Sequence, residues 1–147
     1  MTFQEDIDSE ISAAIERDDA DALQGIIVGN ALQGHPDLGG WLALASQLGK
    51  LESLKRLLAC DANVNWSNAD GETAFSYACA FDQFDAARIM HAHGAEINAV
   101  HATAGCTPLD VAVCRARPEF RTWLKNIGGI RNQTHQPWPW PPTDGKL

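Results

Sequence analysis

The sequence has neither long apolar runs nor a surplus of positive charge. No segment of the 147-residue chain approaches the roughly 18 consecutive apolar residues of a membrane-spanning helix. Lysine and arginine number 11 against 19 aspartates and glutamates, and 12 of those acids but only 4 of the bases lie in residues 1–70. Because such a surface repels phosphate backbones, we expect a partner protein with a basic face, and neither nucleic acid nor a membrane. The alternative is that the acids only keep a small domain soluble.

Disulfide spacing and catalytic motifs are also missing. The four cysteines include no Cys-x-x-Cys pair, which favours reduced thiols in a cytoplasmic protein. The acidic N-terminal segment is unlike a secretory signal, which would be basic and then apolar. No glycine-rich nucleotide loop, Gly-x-Ser-x-Gly elbow or His-Glu-x-x-His pair occurs. We therefore expect no catalytic residue, no cofactor and no enzymatic activity.

The alternative hypothesis is a small enzyme or metal-binding protein with a Cys/His site on turn tips. Its candidate ligands are His91, His93, His101 and Cys106. His91 and His93 are two residues apart on a predicted helix and cannot face the same way. The sequence therefore predicts no metal site.

A period of 33 to 34 residues runs through most of the chain. Ala45 and Ala78 are 33 residues apart, as are Asn65 and Asn98. The pairs separated by 34 residues are Gly71 and Gly105, Thr73 and Thr107, Ala78 and Ala112, and Gly94 and Gly128. A fixed period of this length is typical of stacked supersecondary units.

The content of the period resembles the ankyrin repeat, which carries a Thr-Pro-Leu-His-x-Ala signature. Residues 105–112 read Gly-Cys-Thr-Pro-Leu-Asp-Val-Ala, and residues 71–78 are a weaker copy. Endings similar to Gly-Ala-Asp-Val-Asn occur at residues 61–65, 94–98 and 128–132. The resemblance covers residues 40–132 and implies an all-α solenoid of helix-turn-helix units with short β-hairpin or turn tips.

We predict an ankyrin-repeat domain over residues 1–132 and a separate tail beyond it. The predicted repeats span about 9–34, 35–67, 68–100 and 101–132, and the first and last act as caps whose outer faces are polar. The tail, residues 133–147, is rich in proline and contains Trp138 and Trp140. We expect these tryptophans to cover the last repeat; the alternative is that they bind an aromatic-lined groove of a partner.

Several residues have a specific local prediction. Thr73 and Thr107 should each cap a first helix, and the small side chains of Ala45, Ala78 and Ala112 should be buried where first helices meet. Asp61 takes the place of the glycine that follows a second helix, and because aspartate tolerates a left-handed backbone less well than glycine, this junction should be slightly strained or differently wound. The glycine-rich segment 29–40 should break any helix, and Pro118 is tolerable only in the first turn of the last one.

The cysteines take different positions under the resemblance. Cys79 replaces a core alanine and should behave as a small hydrophobe. Cys106 and Cys114 correspond to exposed positions of the family and are expected to be idle thiols, since no base accompanies either.

The resemblance implies a binding surface on the concave side, made of the tips and the first helices. Carried over position by position, that surface contains Arg17, Gln47, Leu48, Trp66, Ser67, Asp70, Glu72, Phe81, His101, Thr103 and Arg115. Leu48, Trp66 and Phe81 are candidates for binding hot spots, whereas the alternative is that Trp66 and Phe81 pack on neighbouring tips. Asp70 and Glu72 should steer a basic partner.

The function implied by the resemblance is protein-protein interaction. Because the chain carries little beyond the repeats, one partner is expected rather than many. The concrete hypothesis is an inhibitor or immunity-type antidote that masks a basic cleft. The sequence leaves the partner and the oligomeric state open.

Overall fold

The computed structural model describes residues 3–102 and 104–132. These residues form helices α1 (Phe3–Glu16), α2 (Ala20–Gly29), α3 (Leu38–Leu48), α4 (Leu51–Ala59), α5 (Ala74–Ala80), α6 (Phe84–Ala92), α7 (Pro108–Arg115) and α8 (Pro118–Asn126). No helix in this part of the chain combines the length and apolar character needed to cross a bilayer. The tail and its two tryptophans, Trp138 and Trp140, lie outside the described residues.

Consecutive helices pack in pairs, and the pairs stack into a solenoid. The first helices form one row, in which α3 packs against α1 and α5, and α5 packs against α7. The second helices form another row, with α4 between α2 and α6. Phe84 of α6 stacks on Phe120 of α8 with ring centroids 4.9 Å apart. The predicted all-α repeat solenoid is therefore confirmed. Its tips are turns, with one antiparallel bridge, Ser67 to Thr73, in the described residues.

Threonine caps begin two of the first helices, as predicted. The Thr73 hydroxyl oxygen accepts from the backbone N–H of Ser76 at 3.1 Å, and the Ser76 hydroxyl accepts from the N–H of Thr73 at 2.8 Å. Thr107 forms the same reciprocal box with Asp110. Each box satisfies amide groups that the first turn would otherwise leave without partners. Pro118 lies in the first turn of α8, where it removes no helical hydrogen bond.

Small residues allow the first helices to approach closely. Ala45, Ala78 and Ala112 are fully buried, which confirms the prediction for all three. The Ser46 hydroxyl donates to the carbonyl of Ala74 at 2.7 Å across the junction between α3 and α5. The core of the solenoid is thus continuous from one pair of helices to the next.

Left-handed residues set the turns between helices. Asp61 has φ 65°, so of the two alternatives this junction is left-handed and strained rather than differently wound, and Asp18 and Asp82 have φ 52° and 55°. The last two also brace the next pair: Asp18 Oδ1 accepts from the N–H of Ser53 at 2.8 Å, and Asp82 Oδ1 from the N–H of Arg117 at 3.0 Å. Aspartate enters this conformation more readily than most residues, and here two of the three side chains also accept a hydrogen bond from the next unit.

Two boundaries differ from the sequence-based expectation. Helix α1 begins at Phe3, N-terminal to the predicted start of the first repeat at residue 9. The glycine-rich segment 29–40 does not exclude helix throughout, because Gly39 and Gly40 lie in the first turn of α3. At the very start of a helix the low propensity of glycine is offset by the close packing that its missing side chain permits.

Candidate protein-binding surface

The candidate surface consists of the row of first helices and the tips above it. Helix α3 gives the distance between two of the predicted hot-spot residues, Trp66 and Leu48. Gly39 is near the start of α3 and contacts the tip residue Trp66, whereas Leu48 is the last residue of the helix. At about 1.5 Å per residue, Trp66 and Leu48 are separated by roughly 13 Å along the axis. The predicted hot-spot residues therefore form two clusters rather than one.

The lower cluster lies at the C-terminal ends of the first helices. Leu48 is 39% exposed, and Phe81, which follows α5, is half-buried against the core. The backbone carbonyl of Gln47 accepts from Gln83 Nε2 at 3.1 Å, which ties this end of α3 to the next unit. The basic candidates, Arg17 after α1 and Arg115 at the end of α7, belong to the same edge. This edge offers apolar side chains and charges of both signs, since Asp18 directly follows Arg17 and Asp82 directly follows Phe81.

The upper cluster is built around Trp66. A Cβ atom added to Gly39 would overlap Trp66 Cβ, Cγ and Cδ1, and one added to Gly40 would lie 3.7 Å from Cζ2. The side chain therefore lies along the first turn of α3, a helix rather than the neighbouring tip of the packing alternative, and it is only half-buried. Its remaining surface lines a groove of about 320 Å³ together with Asp8, Asp37, Gly40, Trp41 and Leu44. Trp66 therefore packs on α3 with part of its side chain and leaves the rest of it available to a partner.

Sequence analysis missed the residues that complete this groove. Asp8 belongs to α1, Asp37 immediately precedes α3, and Trp41 lies one turn into that helix. The signal was weak, because an aromatic residue in an apolar helix such as α3 is more often part of the core. Only the stacking of α1 on α3 places Asp8 beside the indoles of the next pair.

The two acids expected at the tip behave differently. Asp70 is exposed, and its carbonyl accepts from the N–H of Ala102 at 2.8 Å, which joins adjacent tips. Glu72 is only 4% exposed, so the expectation that it presents its carboxylate to a partner is wrong. Its Oε1 accepts from Asn68 Nδ2 at 2.9 Å inside the turn.

The buried Glu72 also affects a neighbouring side chain. The pKa of Tyr77 is raised, first by the burial of its hydroxyl and next by the charge of Glu72. Ser67 remains exposed beside Trp66.

His101 also serves the turn rather than the surface. It is 5% exposed, and its Nδ1 accepts from the N–H of Ala104 at 3.1 Å. A direct contact between this side chain and a partner is therefore not supported. Thr103, the remaining candidate, lies outside the described residues.

The cysteines and histidines do not converge. The described residues contain no group of three or more side chains able to hold a metal ion. Cys106 is 2% exposed, so its predicted exposure is wrong, because it lies beneath the tip before α7. Cys114 is exposed and Cys79 is fully buried, as predicted. Burial alone raises the pKa of the Cys79 thiol far above its ordinary value, which keeps it protonated and unreactive.

Comparison with known proteins agrees with this geometry. A family model described as ankyrin repeats, three copies, matches residues 42–134. The chain therefore belongs to the ankyrin-repeat family, whose repeats are generally protein-protein interaction modules. No curated protein gives a significant match to the chain.

Proposed function

We propose that this chain binds one protein partner across its concave surface and that the contacting face of the partner is basic. The observation that carries the proposal is the groove beside Trp66, where aromatic side chains and carboxylates meet on the side formed by first helices and tips. Partly exposed aromatic residues at the edge of a cavity are typical of binding hot spots.

The charge of the surface supports a basic partner. Asp8, Asp37 and Asp70 all belong to the tip side, and none of them is paired with a lysine or arginine among the described residues. Their combined field would accelerate the encounter with a positively charged protein. An inhibitor or antidote that covers a basic cleft, acting in the cytoplasm, is the form of this function that we favour.

The test begins with the whole chain as bait in a lysate of its source cells, followed by mass spectrometry of the captured proteins. Equilibrium binding of the purified partner is then measured for Trp41→Ala and Phe81→Ala. If either residue is a hot spot, its variant should weaken binding by about 2 kcal/mol, roughly thirtyfold. Lys55→Ala and Arg88→Ala, on the outer helices α4 and α6, are matched controls and should leave binding within about twofold.

The opposite result, loss of binding in the control variants only, would place the partner on the convex side. Helices α4 and α6 also border a groove of about 390 Å³, which contains Lys55, Asp85 and Arg88. If the two control variants abolish binding while Trp41→Ala and Phe81→Ala bind like the parent, the partner lies on the convex side and the proposal is refuted.

A further inference from the structure

The groove between α1, α3 and the tip that contains Trp66 combines aromatic and acidic residues. Its lining residues include two tryptophans, Trp41 and Trp66, and two aspartates, Asp8 and Asp37. We infer that this groove receives an arginine side chain of the partner, an inference that rests on the function proposed above. The volume of about 320 Å³ is at the lower end of the range for small-ligand pockets and suits one side chain.

Within the part of the chain that the structure describes, neither carboxylate is paired with a lysine or an arginine. Asp8 Oδ1 accepts from Gln4 Nε2, a neutral donor, at 3.0 Å. Asp37 precedes α3, but its side chain makes no capping hydrogen bond to that helix. The neighbouring base is His35, whose Nδ1 lies 3.5 Å from Asp37 Oδ2. The same nitrogen lies 3.2 Å from the backbone N–H of Asp37, so the imidazole and the carboxylate belong to one turn before α3.

The indoles supply the second half of the recognition. Trp66 is held in place because its side chain lies along Gly39 and Gly40, so little rotamer entropy remains to be lost when a ligand binds. Tryptophan is the best aromatic partner for a cation. Trp41 is half-buried and lines the same cavity.

The chemistry of the groove favours arginine over other side chains. A guanidinium is planar, so it can stack on an indole face while its N–H groups point in the ring plane towards a carboxylate. An apolar side chain would cover the carboxylates without satisfying them, at a cost in desolvation. A lysine ammonium is more strongly hydrated and cannot stack.

The inference is tested by titrating the whole chain with N-acetyl-L-arginine amide at low salt. The readout is the set of ¹H–¹⁵N indole resonances, assigned from Trp41→Phe, Trp66→Phe and Trp123→Phe. The Trp41 and Trp66 indoles should shift and saturate together, whereas the indole of Trp123, which belongs to α8 and packs on Phe84 of α6, should not shift. N-acetyl-L-citrulline amide has nearly the same shape without the charge, and it should bind at least about fivefold more weakly.

Aspartate variants test whether the arginine amide binds in this groove. Asp8→Asn combined with Asp37→Asn should weaken binding of the arginine amide at least about fivefold. Asp85→Asn on the outer helix α6 removes one carboxylate from an exposed site and should leave the affinity unchanged. Equal binding of the citrulline amide, shifts of equal size at Trp123, or full affinity in the Asp8/Asp37 variant would each overturn the inference.

Failure of the inference can be separated from failure of the proposed function. If the arginine amide does not bind the groove but Phe81→Ala still weakens the complex with the partner, only the arginine site is refuted. If neither Trp41→Ala nor Phe81→Ala affects the partner, the concave surface itself is refuted.

Discussion

The side chain of Trp66 occupies the space that a Cβ on Gly39 would need. The two residues belong to different parts of the repeat: Gly39 opens the first helix of one unit, and Trp66 lies in the tip that follows the same unit. The sequence suggests that Gly39 breaks a helix, but in the structure it makes room for an aromatic residue at the candidate binding surface. Its conformational freedom is not used, since its value lies in the missing side chain.

Replacing Gly39 by alanine should displace the indole of Trp66. Overpacking of this kind costs about 1–3 kcal/mol, which chemical denaturation would measure as a lower midpoint. Gly25→Ala in α2 is the matched control, because nothing lies within 4 Å of a Cβ at that position. That control should stabilise the protein by about 0.5–1 kcal/mol, since alanine is the better helix former. A stabilising Gly39→Ala would contradict the placement of Trp66.

The stacking of first helices makes a separate prediction for Ala78. Ala78→Leu should destabilise the fold by about 1–3 kcal/mol, because the residue is fully buried between α5 and its neighbours. Ala59→Leu, at the exposed end of α4, should change the unfolding free energy by less than about 0.5 kcal/mol. Equal effects of the two substitutions in thermal and urea unfolding would refute the repeat register.

Asp110 should make stability depend on acid pH. Burial raises the pKa of this carboxyl, but hydrogen bonds from Thr107, Asn132 and Arg131 outweigh it, so the net pKa is lowered. A lowered folded-state pKa means that the contribution is complete above the unfolded value of about 3.9 and is lost as pH falls through the folded value. The stability advantage of the parent over Asp110→Asn should therefore be constant at neutral pH and shrink below about pH 4. An advantage that grows on acidification would contradict the assignment.

The tail prediction can be tested by deleting residues 133–147. The last unit leaves Ile130 61% exposed, and a solenoid end without a cover is expected to be unstable. If Trp138 and Trp140 supply the cover, the deletion should lower Tm. An unchanged Tm together with lost partner binding would instead identify the tail as a recognition peptide.

The local rules of the repeat could be predicted from the sequence because single residues encode them. Thr73 and Thr107 have one favourable place in a helix, and Ala45 and Ala78 mark a period that no other pattern explains. The candidate binding surface was harder to predict from the sequence. The burial of Glu72 and His101 depends on how each turn folds over its own side chains. The meeting of Asp8 and Trp66 in one groove depends on how the units stack. Neither the burial nor the groove produces a repeating pattern in the sequence.

The charge at the tip should influence how fast the partner binds. Asp70 is exposed and lies away from the packed core, so Asp70→Lys should slow association, reduce its salt dependence and leave dissociation nearly unchanged. Stopped-flow or surface-based kinetics at two salt concentrations would measure this. The control is Glu52→Lys on the outer helix α4. Equal effects of both variants would show that only net charge matters.

Hydrogen exchange of the whole chain, free and bound to the captured partner, tests the central claim most directly. We expect binding to slow amide exchange in the tips around residues 63–72 and 96–106 and in the first helices α3 and α5. The outer helices α4 and α6 should exchange as in the free protein. Protection confined to α4 and α6, with unchanged exchange in the tips, would contradict the account.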